Sequence, residues 1–308
     1  MLKPHVRPLM LPTLLVLVVA CNGADSTGPA TLTITADSLP AATQATAYSE
    51  ALSASGGESP YTWSVVAGAL PAGLSLAANG QVTGTPTGGL APSSFAVRVT
   101  SADNQTADQA LSMETLPLSF RAEGIVSNVP AALSASFAVG DTFAVTYAFD
   151  VATPDVTPAT DVGSYSAVTT VEIRVGSYSC QIDTSLLSSP SIRVENDRAT
   201  GADDRYSINL FERTETSDSG PLLGCPDSAG LHFGNQQFLV VLYDPSDAAL
   251  PGDLLPIDPT FIDAFPSGPN NRRMYLTFYD PSSCDLSSCI TSLIWTDDVE
   301  SIEVVPTE

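Results

Sequence analysis

Basic residues are scarce in this 308-residue chain: 11 Lys and Arg stand against 34 Asp and Glu, for a formal net charge of −23. Charged residues are only 15% of the sequence. An average globular domain carries roughly 25%, so the acidity reflects missing bases more than an acidic tract. Nucleic-acid binding needs a basic footprint against the phosphates, and none is present. Lys3 is the only lysine, which excludes Schiff-base chemistry from the rest of the chain. His5 and His232 are the only histidines, too few for a His-rich metal centre. Helical periodicity is also scarce, confined to residues 259–265. A phosphate cradle needs a Gly-rich turn that opens a helix, so that chemistry is excluded too. The hydrophobic share, 44%, is ordinary and sufficient for a core. At about 100–200 residues per domain, the length suggests two domains.

The first residues read as an address label rather than as fold. Lys3 and Arg7 precede an apolar run over residues 9–19, broken by Pro12 and Thr13. A transmembrane helix needs about 20 apolar residues, and this run is shorter. It ends in Val18-Val19-Ala20-Cys21, followed at once by the polar segment 22–29. This resembles the lipobox of bacterial lipoproteins. The resemblance implies that the Cys21 thiol receives a diacylglycerol and that cleavage occurs just before it, with Ala20 as the small residue the peptidase requires. Asn22 stands where an Asp would signal inner-membrane retention, which implies the outer membrane in a diderm host. Residues 1–20 are thus expected to be a signal peptide and 21–30 a flexible tether. The protein would be exported and held at the cell envelope by lipid chains, spanning nothing. An ordinary secretory signal with an incidental cysteine is the alternative. Either way, cleavage removes the only lysine and leaves a more acidic protein.

Four further cysteines remain, Cys180, Cys225, Cys284 and Cys289. An even count in an exported protein suggests disulfides, and four cysteines permit three pairings. Cys284 and Cys289 flank a short polar segment that suits a local loop. That leaves Cys180 with Cys225 as the longer staple. A zinc site is the rival reading, but no CxxC pair is present.

From Thr31 onward the pattern is all β. Residues 31–35, 61–65, 95–99 and 110–113 alternate with period two, and turn signals lie between them. Asn79-Gly80 predicts a hairpin turn, because both residues tolerate positive φ. Three motifs occur in order: Gly56-Gly57-Glu58-Ser59-Pro60-Tyr61-Thr62-Trp63-Ser64-Val65, Leu70-Pro71-Ala72-Gly73-Leu74-Ser75-Leu76 and Gly80-Gln81-Val82-Thr83-Gly84-Thr85-Pro86. Together they resemble the immunoglobulin-like repeats of bacterial surface proteins. The resemblance implies a seven-strand, cadherin-like sandwich over residues 31–116, from a group of domains that often bind calcium. Trp63, mid-strand among alternating residues, is expected in the core. The acids here are scattered, whereas cadherin-type calcium sites cluster acids between domains; only Asp103 and Asp108 could meet across a hairpin.

Residues 117–308 are again strand-like, with expected strands at 118–126, 142–149, 164–175, 191–195, 206–211, 237–243, 274–279, 291–295 and 301–305. They suit a larger β-sandwich or jelly-roll-like domain. The pattern Phe137-Ala138-Val139-Gly140-Asp141-Thr142-Phe143 with Val194-Glu195-Asn196-Asp197 resembles an uncharacterised β domain of secreted bacterial proteins, which implies no particular activity. A short unit recurs, once around Tyr243-Asp244-Pro245-Ser246 and once around Tyr279-Asp280-Pro281-Ser282, and suggests equivalent hairpins or neighbouring strands.

Chemistry is harder to find. His232 lacks an evident acid and nucleophile, and no G-x-S-x-G elbow is present. Two carboxylates could hydrolyse glycans without histidine, but no spacing selects a pair from Asp203, Asp204, Asp244, Asp247, Asp280, Asp297, Asp298, Glu300 and Glu303. Asp197, Asp203 and Asp204 share one loop and are the candidate calcium ligands, with Arg198 and Arg205 available to neutralise them instead. The expectation is a non-catalytic binding, adhesion or structural module, held to the membrane by its lipid and facing a cell-surface protein or glycan. It would require no cofactor, with calcium as an optional ion. A calcium-assisted or two-carboxylate glycan hydrolase is the alternative.

Overall fold

The computed structural model describes residues 30–36, 38–157, 162–182, 184, 187, 190–196, 203–210, 225, 228, 232–233, 239–245, 249–250, 252–279 and 291–306. Cys21, Asp197, Cys284 and Cys289 lie outside them. Among the described residues no helix is long and apolar enough to cross a membrane.

The N-terminal part is an immunoglobulin-like sandwich. Strands β3 (Tyr48–Ala51), β7 (Gln81–Gly84) and β6 (Leu74–Leu76) form one sheet in the order β3-β7-β6. Strands β5 (Thr62–Gly68), β8 (Ser93–Thr100) and β9 (Thr106–Met113) form the other, in the order β5-β8-β9. Two short pairs complete it: β1 (Thr33–Ile34) with β4 (Ala54–Ser55), antiparallel, and β2 (Ala42–Thr43) with β10 (Thr115–Leu116), parallel. Period-two alternation decides which residues go inside. On β8, Phe95, Val97 and Val99 are buried while Arg98 faces out. They share a core with Trp63, Val82, Leu111 and Met113. Trp63 is 4% exposed, so the motif tryptophan is a core residue, as expected.

The hairpin at Asn79-Gly80 forms between β6 and β7, with one difference from expectation. Gly80 takes a positive φ of 90°, and Asn79 does not. Four residues, not two, connect the strands. The Gly80 N–H donates to the Ala77 carbonyl (2.9 Å), and the Ala77 N–H donates to the Gln81 carbonyl (2.8 Å). That is a turn closed by a glycine bulge, which needs only one left-handed residue. A Cβ on Gly80 would lie 2.8 Å from Trp63 Nε1, so two of the family-like motifs meet at this contact.

The rest of the chain is a larger β-sandwich. Its strands are β11 (Leu118–Asn128), β12 (Thr142–Phe149), β13 (Val162–Tyr165), β14 (Val168–Val175), β15 (Tyr178–Ile182), β16 (Ser191–Glu195), β17 (Asp204–Asn209), β18 (His232–Phe233), β19 (Val240–Asp244), β20 (Arg272–Tyr279) and β21 (Thr291–Val304). Their order is β13-β16-β17-β19-β20-β21-β11-β12-β14-β15, with β18 beside the end of β20. Strand β20 turns the corner between the two faces. Its first residues pair with β19 and its later ones with β21. Strands β12 and β17 are far apart in this order, yet the hydroxyls of Tyr147 and Tyr206 lie 3.0 Å apart, both buried. The sheet therefore folds over on itself. Burial pushes both tyrosine pKa values up, so both hydroxyls stay neutral and can share one hydrogen bond.

A 3-10 helix, Pro259–Ala264, plugs one side of this core. The Asp258 carboxylate accepts from Thr260 N–H at its start (3.0 Å). Its Phe261 reaches both leaves, with ring centroids 6.3 Å from Phe120 and 4.7 Å from Tyr206. The helical periodicity at 259–265 thus marks this element.

Three strand expectations change on inspection. The segment 164–175 divides into β13 and β14, which pair with different neighbours. The segments 291–295 and 301–305 fuse into the single strand β21, whose intervening acids are absorbed by register shifts against β11. Strand β15 follows the Gly176-Ser177 turn, where Gly176 has φ 55°. The two Tyr-Asp-Pro-Ser units follow from β19 and β20, which are antiparallel neighbours.

Candidate functional site

Strands β16, β17 and β19 bring four charged residues to one end of the larger sandwich. Register pairs Glu195 with Arg205 and Asp204 with Asp244. Adjacent strand residues face opposite sides of a sheet. Glu195 and Arg205 therefore share one face, while Asp204 and Asp244 share the other with Tyr206 and Leu242. On the first face, buried Glu195 accepts from Arg193 Nε (2.8 Å), and an Arg205 guanidinium nitrogen lies 3.9 Å from its other oxygen. Arg205 thus stands beside Glu195 on this face.

On the second face the geometry is different. Asp204 is fully buried and Asp244 nearly so. Asp204 Oδ2 accepts from the Leu250 backbone N–H (2.7 Å). Its Oδ1 is buried and without a hydrogen-bond partner. Asp203 sits just before β17 and is half-buried. Among the described residues no group of three or more His, Cys, Asp or Glu converges as a metal site. Asp244 was one of nine acids with nothing to single it out in the sequence. The recurring Tyr-Asp-Pro-Ser unit was the only signal that marked it.

In the smaller sandwich, Asp103 and Asp108 go separate ways. Asp108 holds Arg98 through two 2.7 Å bonds, and both side chains are exposed. Asp103 accepts from the Ser101 hydroxyl and the Gln105 amide, which hold its pKa down to about 2. Both are tied into the loop and strand rather than offered to an ion.

A second cluster joins the two sandwiches. Only Pro117 separates β10 from β11. Beside that join, Gln44 is completely buried. Its Nε2 donates to the Gly88 carbonyl (2.6 Å) and to Asp150 Oδ1 (2.6 Å). Its Oε1 accepts from the Val151 N–H (3.0 Å). Its own backbone N–H donates to the Leu116 carbonyl (3.0 Å). One glutamine thus binds its own domain, the connecting strand and the far domain. A lone glutamine carries no motif, so sequence reasoning missed it.

The Cys180–Cys225 disulfide is present, with Cα atoms 4.9 Å apart and both residues buried. It ties β15 to a segment 45 residues away. His232 lies in β18, where it pairs with Tyr279 across to β20.

Residues 29–115 match the family described as "Putative Ig domain". No curated protein matches the chain. Among solved structures, the chain is similar to an endo-fucoidan hydrolase from glycoside hydrolase family 107, at 12% identity and a TM-score of 0.26. That alignment covers 60% of this chain and 27% of the hydrolase, so the chain spans about a quarter of its length. The protocadherin gammaB7 EC3-6 cis-dimer is similar at 10% identity and a TM-score of 0.25, over 85% of this chain and 72% of that one.

Proposed function

We propose that this is a lipid-anchored bacterial envelope protein, attached through Cys21 at the outer membrane and acting as a non-catalytic binding, adhesion or structural module. The junction at Gln44 carries this reading. A module that presents a face to a partner works best when its domains hold one orientation, because fixed geometry lowers the ordering cost of binding. A buried side chain with every polar atom bonded across a domain join favours such stiffness. The Cys180–Cys225 disulfide supports an oxidising, extracytoplasmic location. The immunoglobulin-like fold over the matched residues is consistent with a spacer or adhesion unit. In this reading residues 31–116 are the spacer, and residues 117–308 offer the ligand face to a cell-surface protein or glycan.

The test is expression of the full chain in a diderm host with an alkyne-palmitate label. The expected result is a labelled protein in the outer-membrane fraction, with Cys21→Ser unlabelled and released. An unlabelled wild type, or a Cys21→Ser variant still fractionating with membranes, would refute the anchor.

A further inference from the structure

We infer that the outer face of β19, β20 and β21 binds a polysaccharide built of uncharged sugars. The inference rests on the reading that residues 117–308 present a ligand face, and it names that face and its ligand. Alternation sets the two sides of this leaf. Leu242, Met274, Leu276, Ile294 and Thr296 point inward and are buried. Tyr243, Arg273, Tyr275, Trp295 and Asp297 therefore point outward, and all five are partly exposed. Tyr275 stands directly opposite Trp295. One step along, the Arg273 guanidinium lies 3.9 Å from Asp297, whose side chain is half exposed. Tyr243 begins the strip on β19, two residues beyond Val241, which stands opposite Arg273. With strands about 4.8 Å apart and a rise of about 3.3 Å per residue, Tyr243 and Trp295 flank Arg273 at roughly 15 Å from each other. Ser207, Asn209 and Leu239 of the same face are buried, which confines the open strip to these residues.

Three partly wet rings on one sheet face need a reason. Cross-strand pairing of aromatics is the ordinary one. It does not apply here, because among the described residues none of the three rings pairs with another aromatic ring. Nor does the Trp295 indole N–H have a hydrogen-bond partner among them. Polar groups space the rings instead: Arg273 sits between Tyr243 and Tyr275 and donates to the Tyr275 hydroxyl (3.5 Å). A sugar ring matches this pattern. Its C–H face is apolar and lies flat on an aromatic ring. Its rim hydroxyls both donate and accept, while Arg273 can only donate and Asp297 can only accept, so neighbouring hydroxyls satisfy both. Charge selects the uncharged class. A chain of net charge −23 repels an anionic polysaccharide. A basic protein would be drawn to an acid excess, but on this face Arg193, Arg205 and Arg273 stand against Glu195 and Asp297 among the described residues. An apolar protein surface would leave Arg273 and Asp297 desolvated without partners of their own kind.

The chain carries its own reporter. It has two tryptophans, and Trp63 is buried in the smaller core, so quenching of fluorescence by acrylamide reads Trp295. The experiment is affinity electrophoresis of the purified full-length chain through gels holding a linear glucan, a mannan or a galactan. Alginate and a sulfated galactan serve as anionic arms. The expected result is retardation by at least one neutral polysaccharide, whose oligosaccharides then protect Trp295 from acrylamide. Trp295→Ala and Tyr275→Ala should each weaken binding by about tenfold or more. Arg273→Gln should weaken it too, and Asp108→Asn, at an ion pair in the other sandwich, should not. Should a face variant fail to fold, protection of Trp295 in the wild type tests the same contact. Retardation by none of the neutral polysaccharides would overturn the inference. So would retardation by the anionic ones alone, or binding that survives in both aromatic variants. Any of these results with the palmitate label of Cys21 intact would remove the glycan and leave the anchor standing.

Discussion

At the scale of single residues, the family-like motifs are explained by close approach. Gly80 sits at φ 90°, and a Cβ there would lie only 2.8 Å from Trp63 Nε1. Replacing it with alanine forces a left-handed residue and displaces the largest aromatic of the small core. Gly80→Ala should lose about 1–3 kcal/mol in urea unfolding, with the slope unchanged. Asp103 makes a different prediction. Its folded pKa is depressed to about 2 by Ser101 first and Gln105 second. An unfolded Asp titrates at about 3.9, so the folded state favours the ionised form. The resulting stabilisation is complete above that value and lost as pH falls through about 2. Asp103→Asn should therefore flatten the acid limb of the stability profile and leave its slope near neutral pH unaltered. An unchanged acid limb would remove Asp103 from the account.

At the scale of elements, alternation and turn chemistry were enough to find most strands, and local polarity was what misled. Strands β12 and β16 fall where the alternating residues predict them. Strand β21 did not, because Asp297, Asp298 and Glu300 look like a turn in sequence. The strand accommodates them with register shifts against β11, and the Arg273 guanidinium lies 3.9 Å from Asp297. The division of 164–175 into two strands was equally hidden, since it depends on β13 pairing with β16 while β14 pairs with β12. The staple between Cys180 and Cys225 was legible from the even cysteine count together with the short spacing of Cys284 and Cys289. The pairing of Asp204 with Asp244 was not, because it is a product of register between strands from distant parts of the chain. The staple carries its own prediction. It restricts a long loop in the unfolded chain, so reduction of the unfolded protein should lower stability by about 2–4 kcal/mol. A denaturation midpoint that ignores reductant would contradict this.

At the scale of the whole molecule, the central claim is that two sandwiches are held in one orientation. The shortage of bases leaves an acidic surface that says little about partners, whereas the junction says how any partner would be met. Strand β10 runs through Pro117 into β11, and Gln44 closes the joint from the side. Gln44→Ala would strip the Val151 N–H of its partner, at a cost of about 1–3 kcal/mol, and leave Asp150 Oδ1 with the Ala152 N–H alone. The most direct measurement is ¹⁵N NMR relaxation on the deuterated chain. Amides of the smaller core (around Trp63 and Val97) and of the larger one (around Tyr147 and Tyr206) should report a single overall correlation time in the wild type. In Gln44→Ala the smaller sandwich should tumble faster than the larger. Two correlation times already present in the wild type would contradict the account.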